Sequence, residues 1–337
     1  MIDLSSSRVL VTGGAGFIGS ALVWELNRRG CHNVIIADFL ETSEKWRNLV
    51  PLRYDDYLEA DTLLPALERG DLGRFDLILH MGACSATTER DAAYLVRNNY
   101  EYTKSLARHA LEKGTRFVYA SSAATYGDGT HGMHDTEEDL HVLRPLNMYG
   151  YSKQMFDLYA VRREWIDQIV GLKFFNIYGP NEDHKGDMRS LVNKAYSQVM
   201  ETGRIKLFRS YRPEFVDGGQ QRDFLYVKDA VNMALHLATH PTANGIFNIG
   251  SGEARTWIEL ANALFAAMDR TPEIEFIEMP ESLRAKYQYF TQADIGRLRG
   301  TGYAEPVTSL SNAVSDYVRS YLVSDKRLGD EEGVRRA

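Results

Sequence analysis

The chain has 337 residues, 44% hydrophobic and 25% charged, a composition that excludes a disordered polymer and predicts two joined lobes at roughly 100–200 residues per domain. Its 46 acidic and 39 basic residues leave a formal charge of −7, which argues against a surface built to grip nucleic acid or anionic membrane. No apolar run reaches the roughly 18–20 residues of a bilayer span, no metal site is expected, and two cysteines, Cys31 and Cys84, predict a reducing compartment rather than a disulfide scaffold. The first residues lack a basic cap followed by an apolar core, so no signal peptide is expected and the cytoplasm is the predicted location.

In chain order, Arg8–Thr12 (RVLVT) predicts a buried strand, followed by a glycine turn and a helix ending near Gly30. Asn33–Asp38 and Phe75–Ala83 predict further strands, a helix from about Thr88 to Lys113 should stop at Gly114, and Arg116–Ser122 is the next strand. Continuous β-branched runs separated by helices are the pattern of parallel strands covered on both faces, a doubly wound α/β fold of Rossmann type. Beyond Gly179-Pro180 the texture changes. A helix near Met188–Thr202 leads into a basic, glycine-containing stretch, then strands at Ile246–Ile249 and Ile274–Glu278 and a helix over Thr256–Met268. Leu310, Val314, Tyr317, Val318 and Tyr321 fall at helical spacing. The expected division is a cofactor domain from 1–178 and 223–252, a smaller C-terminal α/β substrate domain from 179–222 and 253–322, and a fraying tail at 323–337.

Thr12-Gly13-Gly14-Ala15-Gly16-Phe17-Ile18-Gly19 joins the first strand to the first helix. Gly14, Gly16 and Gly19, or Gly13, Gly16 and Gly19, satisfy two spacings of a dinucleotide loop, where glycine allows a tight turn and close approach of backbone to a pyrophosphate. The helix N-terminus adds free N–H groups and partial positive charge. Asp38, ending the second strand, suits a ribose 2′-hydroxyl and so NAD, whereas Lys45 and Arg47 just beyond suit a 2′-phosphate and so NADP.

Tyr149 and Lys153 stand four apart, on one face of a helix. Phenol is a poor base near neutrality, and an adjacent ammonium favours its phenolate. Ser122, ending the Arg116–Ser122 strand, is placed to hold a substrate hydroxyl against Tyr149. Between Met188 and Arg222, seven basic residues face three acidic ones, a local excess that suits an anionic diphosphate.

With these come Gly82-Ala83-Cys84-Ser85-Ala86-Thr87-Thr88-Glu89, Tyr119-Ala120-Ser121-Ser122-Ala123-Ala124-Thr125-Tyr126-Gly127, Phe175-Asn176-Ile177-Tyr178-Gly179-Pro180, His184-Lys185-Gly186 and Tyr287-Gln288-Tyr289-Phe290-Thr291-Gln292-Ala293-Asp294. From about Arg8 to Leu322 the chain resembles the extended short-chain dehydrogenase/reductases acting on nucleotide sugars, and within them the ADP-glyceromanno-heptose 6-epimerases. The resemblance implies interconversion of the D-glycero and L-glycero forms of ADP-β-D-manno-heptose at C6″, a step toward the lipopolysaccharide core, through a ketone and with a tightly bound nicotinamide, generally NADP. It implies Tyr149, Lys153 and Ser122 as catalytic residues, with Lys185 as a second acid–base. Cofactor contacts are expected from Gly13, Gly16, Phe17, Ile18, Gly19, Asp38, Phe39, Lys45, Met81, Gly82, Ala83, Cys84, Ser85, Asn98, Tyr149, Lys153, Ile177 and Lys185. Substrate contacts are expected from Asn176, Asp187, Lys194, Phe208, Arg209, Ser210, Tyr211, Arg222 and Tyr287, in a homo-oligomer.

The chain departs from that pattern at Tyr211–Gln220, which is longer, and at Asp187, Lys194, Phe39 and Ala60, where the family carries serine, histidine, a polar residue and lysine. A dehydratase of the same superfamily needs Thr-Asp-Glu after the Arg116–Ser122 strand, and here Ala123-Ala124-Thr125 supplies no carboxylate. The remaining alternatives are a UDP-hexose 4-epimerase-like enzyme and a non-catalytic NAD(P)-binding sensor.

Overall fold

The apolar runs assemble side by side. The computed structural model describes residues 2–284 and 287–330. It contains a sheet of seven strands: β1 (Val9–Thr12), β2 (Val34–Asp38), β3 (Asp56–Glu59), β4 (Leu77–His80), β5 (Arg116–Ser122), β6 (Val170–Phe174) and β10 (Gly245–Ile249), in the order β10-β6-β5-β4-β1-β2-β3. Every neighbouring pair is parallel. Val9 and Val11 of β1 point into one core and Leu10 into the other, as period-two alternation requires of a strand covered on both faces. This is the expected Rossmann-type fold. Its strand order reverses at β1, where Thr12 stands opposite both Ala37 and His80, and such a reversal opens a crevice beyond the carboxyl ends of the strands.

Outside this sheet, β7 (Asn176–Tyr178) pairs with β9 (Gln221–Tyr226), which pairs with β11 (Ala254–Thr256), and β8 (Ile205–Phe208) pairs with β12 (Ile274–Ile277). The helices that place the site are α1 (Phe17–Arg28), α2 (Ala60–Arg69), α3 (Ala92–Leu95), α4 (Tyr102–Lys113), α5 (Met148–Arg162) and α6 (Leu191–Thr202). Local signals fix their ends. Asn147 caps α5 by accepting from Gly150 N at 2.8 Å, Ser190 caps α6, and Gly114 ends α4 at φ +63°.

Three expectations are corrected. The helix read from Thr88 starts at Ala92, because Asp91 accepts from Tyr94 N at 2.9 Å and caps it there, and a π turn over Val96–Glu101 joins α3 to α4. The strand read as Phe75–Ala83 ends at His80, and Met81–Ala83 leave the sheet. The segment read as a fraying tail packs as far as Asp330. Leu328 is fully buried, its amide donates to Asn181 Oδ1 at 3.0 Å, and Arg327 pairs with Asp183 at 3.3 Å. One apolar side chain among polar ones carries this docking, which a composition reading averages away; residues 331–337 lie outside the described residues. Leu328→Ala is expected to cost about 2–4 kcal/mol, read as a lower urea midpoint at unchanged slope. An unchanged midpoint would show that the segment contributes nothing.

Candidate active site

At the carboxyl ends of β1 and β4 two loops touch. Gly13 adopts φ +67°, and a Cβ there would lie 2.6 Å from Gly82 N, so only glycine lets the β1 loop rest on Met81-Gly82. Gly16 is the N-cap of α1, which leaves the first-turn amides, including those of Phe17 and Ile18, without partners inside the helix. A glycine cradle plus unpaired helix-start amides is what a dinucleotide pyrophosphate requires.

Asp38 is turned toward the glycine loop. Its Oδ2 accepts from Ala15 N (2.9 Å) and Gly16 N (3.2 Å), and its Oδ1 from Phe39 N (2.7 Å) and Lys45 Nζ (2.8 Å). The carboxylate is a strut for the glycine loop, neutralised by Lys45. Arg47 is drawn away to Asp325 at 2.7 Å, and Phe39 is exposed.

Asn98 turns back to Tyr94 O at 3.0 Å, and its neighbour Asn99 does the positioning. Asn99 is buried, brackets Cys84 N and O at 2.9 Å each, and donates to Ser152 Oγ at 3.0 Å, tying the Met81–Ser85 segment to α5. The π turn shifts the helical phase by one residue at this point, and no sequence pattern marks it.

Beside the crevice lies a cavity of about 650 Å³ lined by Phe17, Ile18, Ser85, Ser122, Tyr149, Asn176, Ile177, Lys185, Lys194, Phe208 and Tyr287 among the expected residues. Burial pushes the Tyr149 phenol up, and its hydrogen bond with Ser122 opposes this. Lys153 sits behind it, donating to Ala120 O at 2.8 Å, and burial pushes its ammonium down to about 8. Lys185 Nζ stands 5.0 Å from the centre of the Phe17 ring. Burial lowers its pKa, and Glu182 opposes that shift.

The loop carrying Lys185 is held from several sides, by residues the sequence reading missed. Buried Glu182 accepts from Ser190 N (2.5 Å), Ser190 Oγ (2.6 Å) and Tyr317 OH (3.1 Å). Asn48 Nδ2 donates to Ala15 O (3.0 Å) and Asn181 O (3.1 Å), fastening this loop to the glycine loop. Their separation in the chain hides these partners from any local motif.

The basic stretch divides. Arg189, Lys194 and Lys206 line the cavity beside Lys185, with no carboxylate among its described lining residues. Arg204 pairs with Glu273, and Arg209 pairs with Asp217 at 2.8 Å and Glu278 at 3.5 Å. Ser210 N donates to Asp217, and Tyr211 bonds Glu278 beneath the Arg284 guanidinium. Arg209, Ser210 and Tyr211 thus form an ion-pair cluster that does not line the cavity, and exposed Asp187 stays outside it too. Arg222 is buried behind the wall, 5.0 Å from the Tyr287 ring, whose hydroxyl accepts from Trp257 Nε1 at 2.9 Å. Trp257, Phe224 and Leu260 complete the apolar wall without having been singled out by sequence. Among the described residues no helix is long and apolar enough to cross a membrane.

The family model described as NAD dependent epimerase/dehydratase matches residues 9–250. The chain is 55% identical to the ADP-L-glycero-D-manno-heptose-6-epimerase of Nitratidesulfovibrio vulgaris strain Hildenborough, over 94% of this chain and 98% of that one. Among solved structures it is similar to the Helicobacter pylori ADP-L-glycero-D-manno-heptose-6-epimerase, with TM-score 0.78, 27% identity and coverage of 95% and 97%. It is also similar to the Thermus thermophilus UDP-glucose 4-epimerase in complex with NAD, with TM-score 0.74, 26% identity and coverage of 92% and 97%.

Proposed function

Because the chain belongs to the NAD dependent epimerase/dehydratase family, we propose that it epimerises ADP-D-glycero-β-D-manno-heptose to ADP-L-glycero-β-D-manno-heptose at C6″. The observation that carries this reading is that two acid–base groups of different kinds, Tyr149 and Lys185, share one cavity beside the glycine loop. The inverted carbon bears an alcohol whose C–H is not acidic, so inversion needs oxidation to a ketone and return from the other face, the chemistry that a bound nicotinamide supplies. Ketone and alcohol present their oxygen in two orientations, which one acid–base group serves poorly and two serve well.

The chain's own residues divide the work. Tyr149 takes the proton of the substrate hydroxyl, Ser122 holds that hydroxyl, and Lys153 keeps the phenolate accessible. Lys185 handles the proton in the second orientation. Arg189, Lys194 and Lys206 receive the diphosphate, and a lining without carboxylate leaves no group for the elimination a dehydratase performs. Segments 1–178 and 223–252 serve the cofactor, and 179–222 and 253–322 the nucleotide sugar.

The cofactor of this reading is NADP, tightly bound, held by Gly13, Gly16, the Phe17 and Ile18 amides and Lys45. Asp38 ordinarily repels a 2′-phosphate; here it is turned to the glycine loop and paired with Lys45, which weakens that repulsion, and the choice of NADP follows the family resemblance.

Purified protein incubated with ADP-D-glycero-β-D-manno-heptose, with no cofactor added, is expected to yield both epimers on anion-exchange chromatography, and the nucleotide released on denaturation is expected to be NADP. Release of NAD would reverse the cofactor choice. No conversion even with both cofactors added would overturn the heptose assignment, and turnover of UDP-galactose would then favour a UDP-hexose 4-epimerase.

A further inference from the structure

Behind the cavity, on the far side of Lys153, lies an ion pair with no exposed area. Lys173 Nζ stands 3.8 Å from Asp157 Oδ2, and both side chains are fully buried. Asp157 lies four residues beyond Lys153 and eight beyond Tyr149 on α5, so the three occupy one face of the helix. Two hydroxyls of β5 donate to the carboxylate, Tyr119 OH at 2.9 Å and Ser121 Oγ at 2.7 Å. Ser121 stands between Ala120, whose carbonyl accepts from Lys153, and Ser122, which faces Tyr149. Lys173, opposite Ser121 in the sheet, donates to Thr125 Oγ1 at 2.8 Å, and Thr125 donates to Ser122 O at 2.8 Å.

A buried ion pair is a weak source of stability, since desolvation consumes most of the Coulomb gain and an apolar replacement is often neutral. The place of this pair, one turn from a buried lysine that donates to a neutral carbonyl, gives it another use. We propose that Asp157 is a positioning residue for catalysis: its carboxylate, fixed by Tyr119, Ser121 and Lys173, is the counter-charge that keeps Lys153 an ammonium and so keeps the Tyr149 phenolate within reach. The inference rests on the reading of Tyr149 and Lys153 as an acid–base pair.

The surrounding charges agree in sign. Lys153 is faced by His80 from β4, by Cys84 from the loop after β4, and by Asp157 on its own helix, with Tyr149 one turn before it. His80 is neutral, driven down to about 3 by burial and then by Lys153, and both its ring nitrogens are within hydrogen-bond distance of threonine hydroxyls. Burial lowers Lys153, and Asp157 is the first group to oppose it; burial raises Asp157, and Lys173 is the first to oppose that. Lys173 in turn feels Asp157, Asp135 and Glu137, with the Tyr126 ring 4.3 Å from its nitrogen. Lys173 therefore opposes the neutralisation of Asp157 that burial favours, and Asp157 opposes that of Lys153.

The test compares Asp157→Asn with the double variant Asp157→Asn/Lys173→Met, which removes both buried charges together and so preserves folding if the single variant does not fold. Two quantities are read on the purified protein: the pH dependence of kcat for epimerisation, and the ionisation of Tyr149. The latter is taken as the phenolate ultraviolet difference between each protein and its Tyr149→Phe counterpart. Loss of the counter-charge should move the alkaline limb of kcat down by on the order of one pH unit and move the Tyr149 ionisation upward. A folded double variant with the parent limb and the parent Tyr149 ionisation would overturn the proposal and leave the pair purely structural. The phenol titration needs no substrate. If it moves while no variant or parent turns over ADP-heptose, the proposed reaction fails and the role of Asp157 stands.

Discussion

Tyr149→Phe is expected to slow epimerisation by about 10³-fold, the middle of the range that a positioned acid–base group contributes. The substitution removes one oxygen and keeps the ring that lines the cavity beside Ser122, so the loss should fall on kcat with KM little changed. Circular dichroism and bound cofactor should match the parent protein. Steady-state rates within tenfold of the parent would sink the assignment of Tyr149 as the group that moves the proton.

Lys185→Ala is expected to reduce epimerisation at least about 10²-fold, with an asymmetry that Tyr149→Phe should mirror. With the second acid–base gone, one epimer should still reduce the nicotinamide, seen as near-ultraviolet absorbance in a single turnover, while the other should not. The two variants should respond to opposite epimers. Alanine also removes the stem that carries the nitrogen to the Phe17 ring, so Lys185→Met, which keeps the stem and loses the charge, separates packing from proton transfer. If Lys185→Met turns over near the parent rate, Lys185 only grips the ligand, and Tyr149 would have to act alone.

Features governed by short spacing were legible in the sequence. Continuous apolar runs gave buried parallel strands, the glycine loop announced a crevice, and a spacing of four put Tyr149 and Lys153 on one helix face. Features governed by distant pairing were not. Asp38 looks free in sequence, yet in the fold it faces two loop amides and Lys45. Arg209 looks like a phosphate ligand until β12 brings Glu278 to it. Asn99 holds the Cys84 loop from within a π turn, a one-residue shift in phase that periodicity cannot register. Glu182 and Asn48 carry no motif, because their meaning depends on Tyr317 and Ala15, which lie far away along the chain.

The clasp around Lys185 draws on Asn48 near one end of the chain and on Tyr317, Arg327 and Leu328 near the other. During synthesis, where N-terminal parts fold first, all seven strands of the sheet, the glycine loop and the Tyr149 helix are available once Ile249 has been made. The contacts that fix the second acid–base must wait for about eighty further residues, on the order of several seconds at the ribosome. A chain stalled in that interval is therefore expected to carry the glycine loop and the Tyr149 helix without the finished clasp around Lys185.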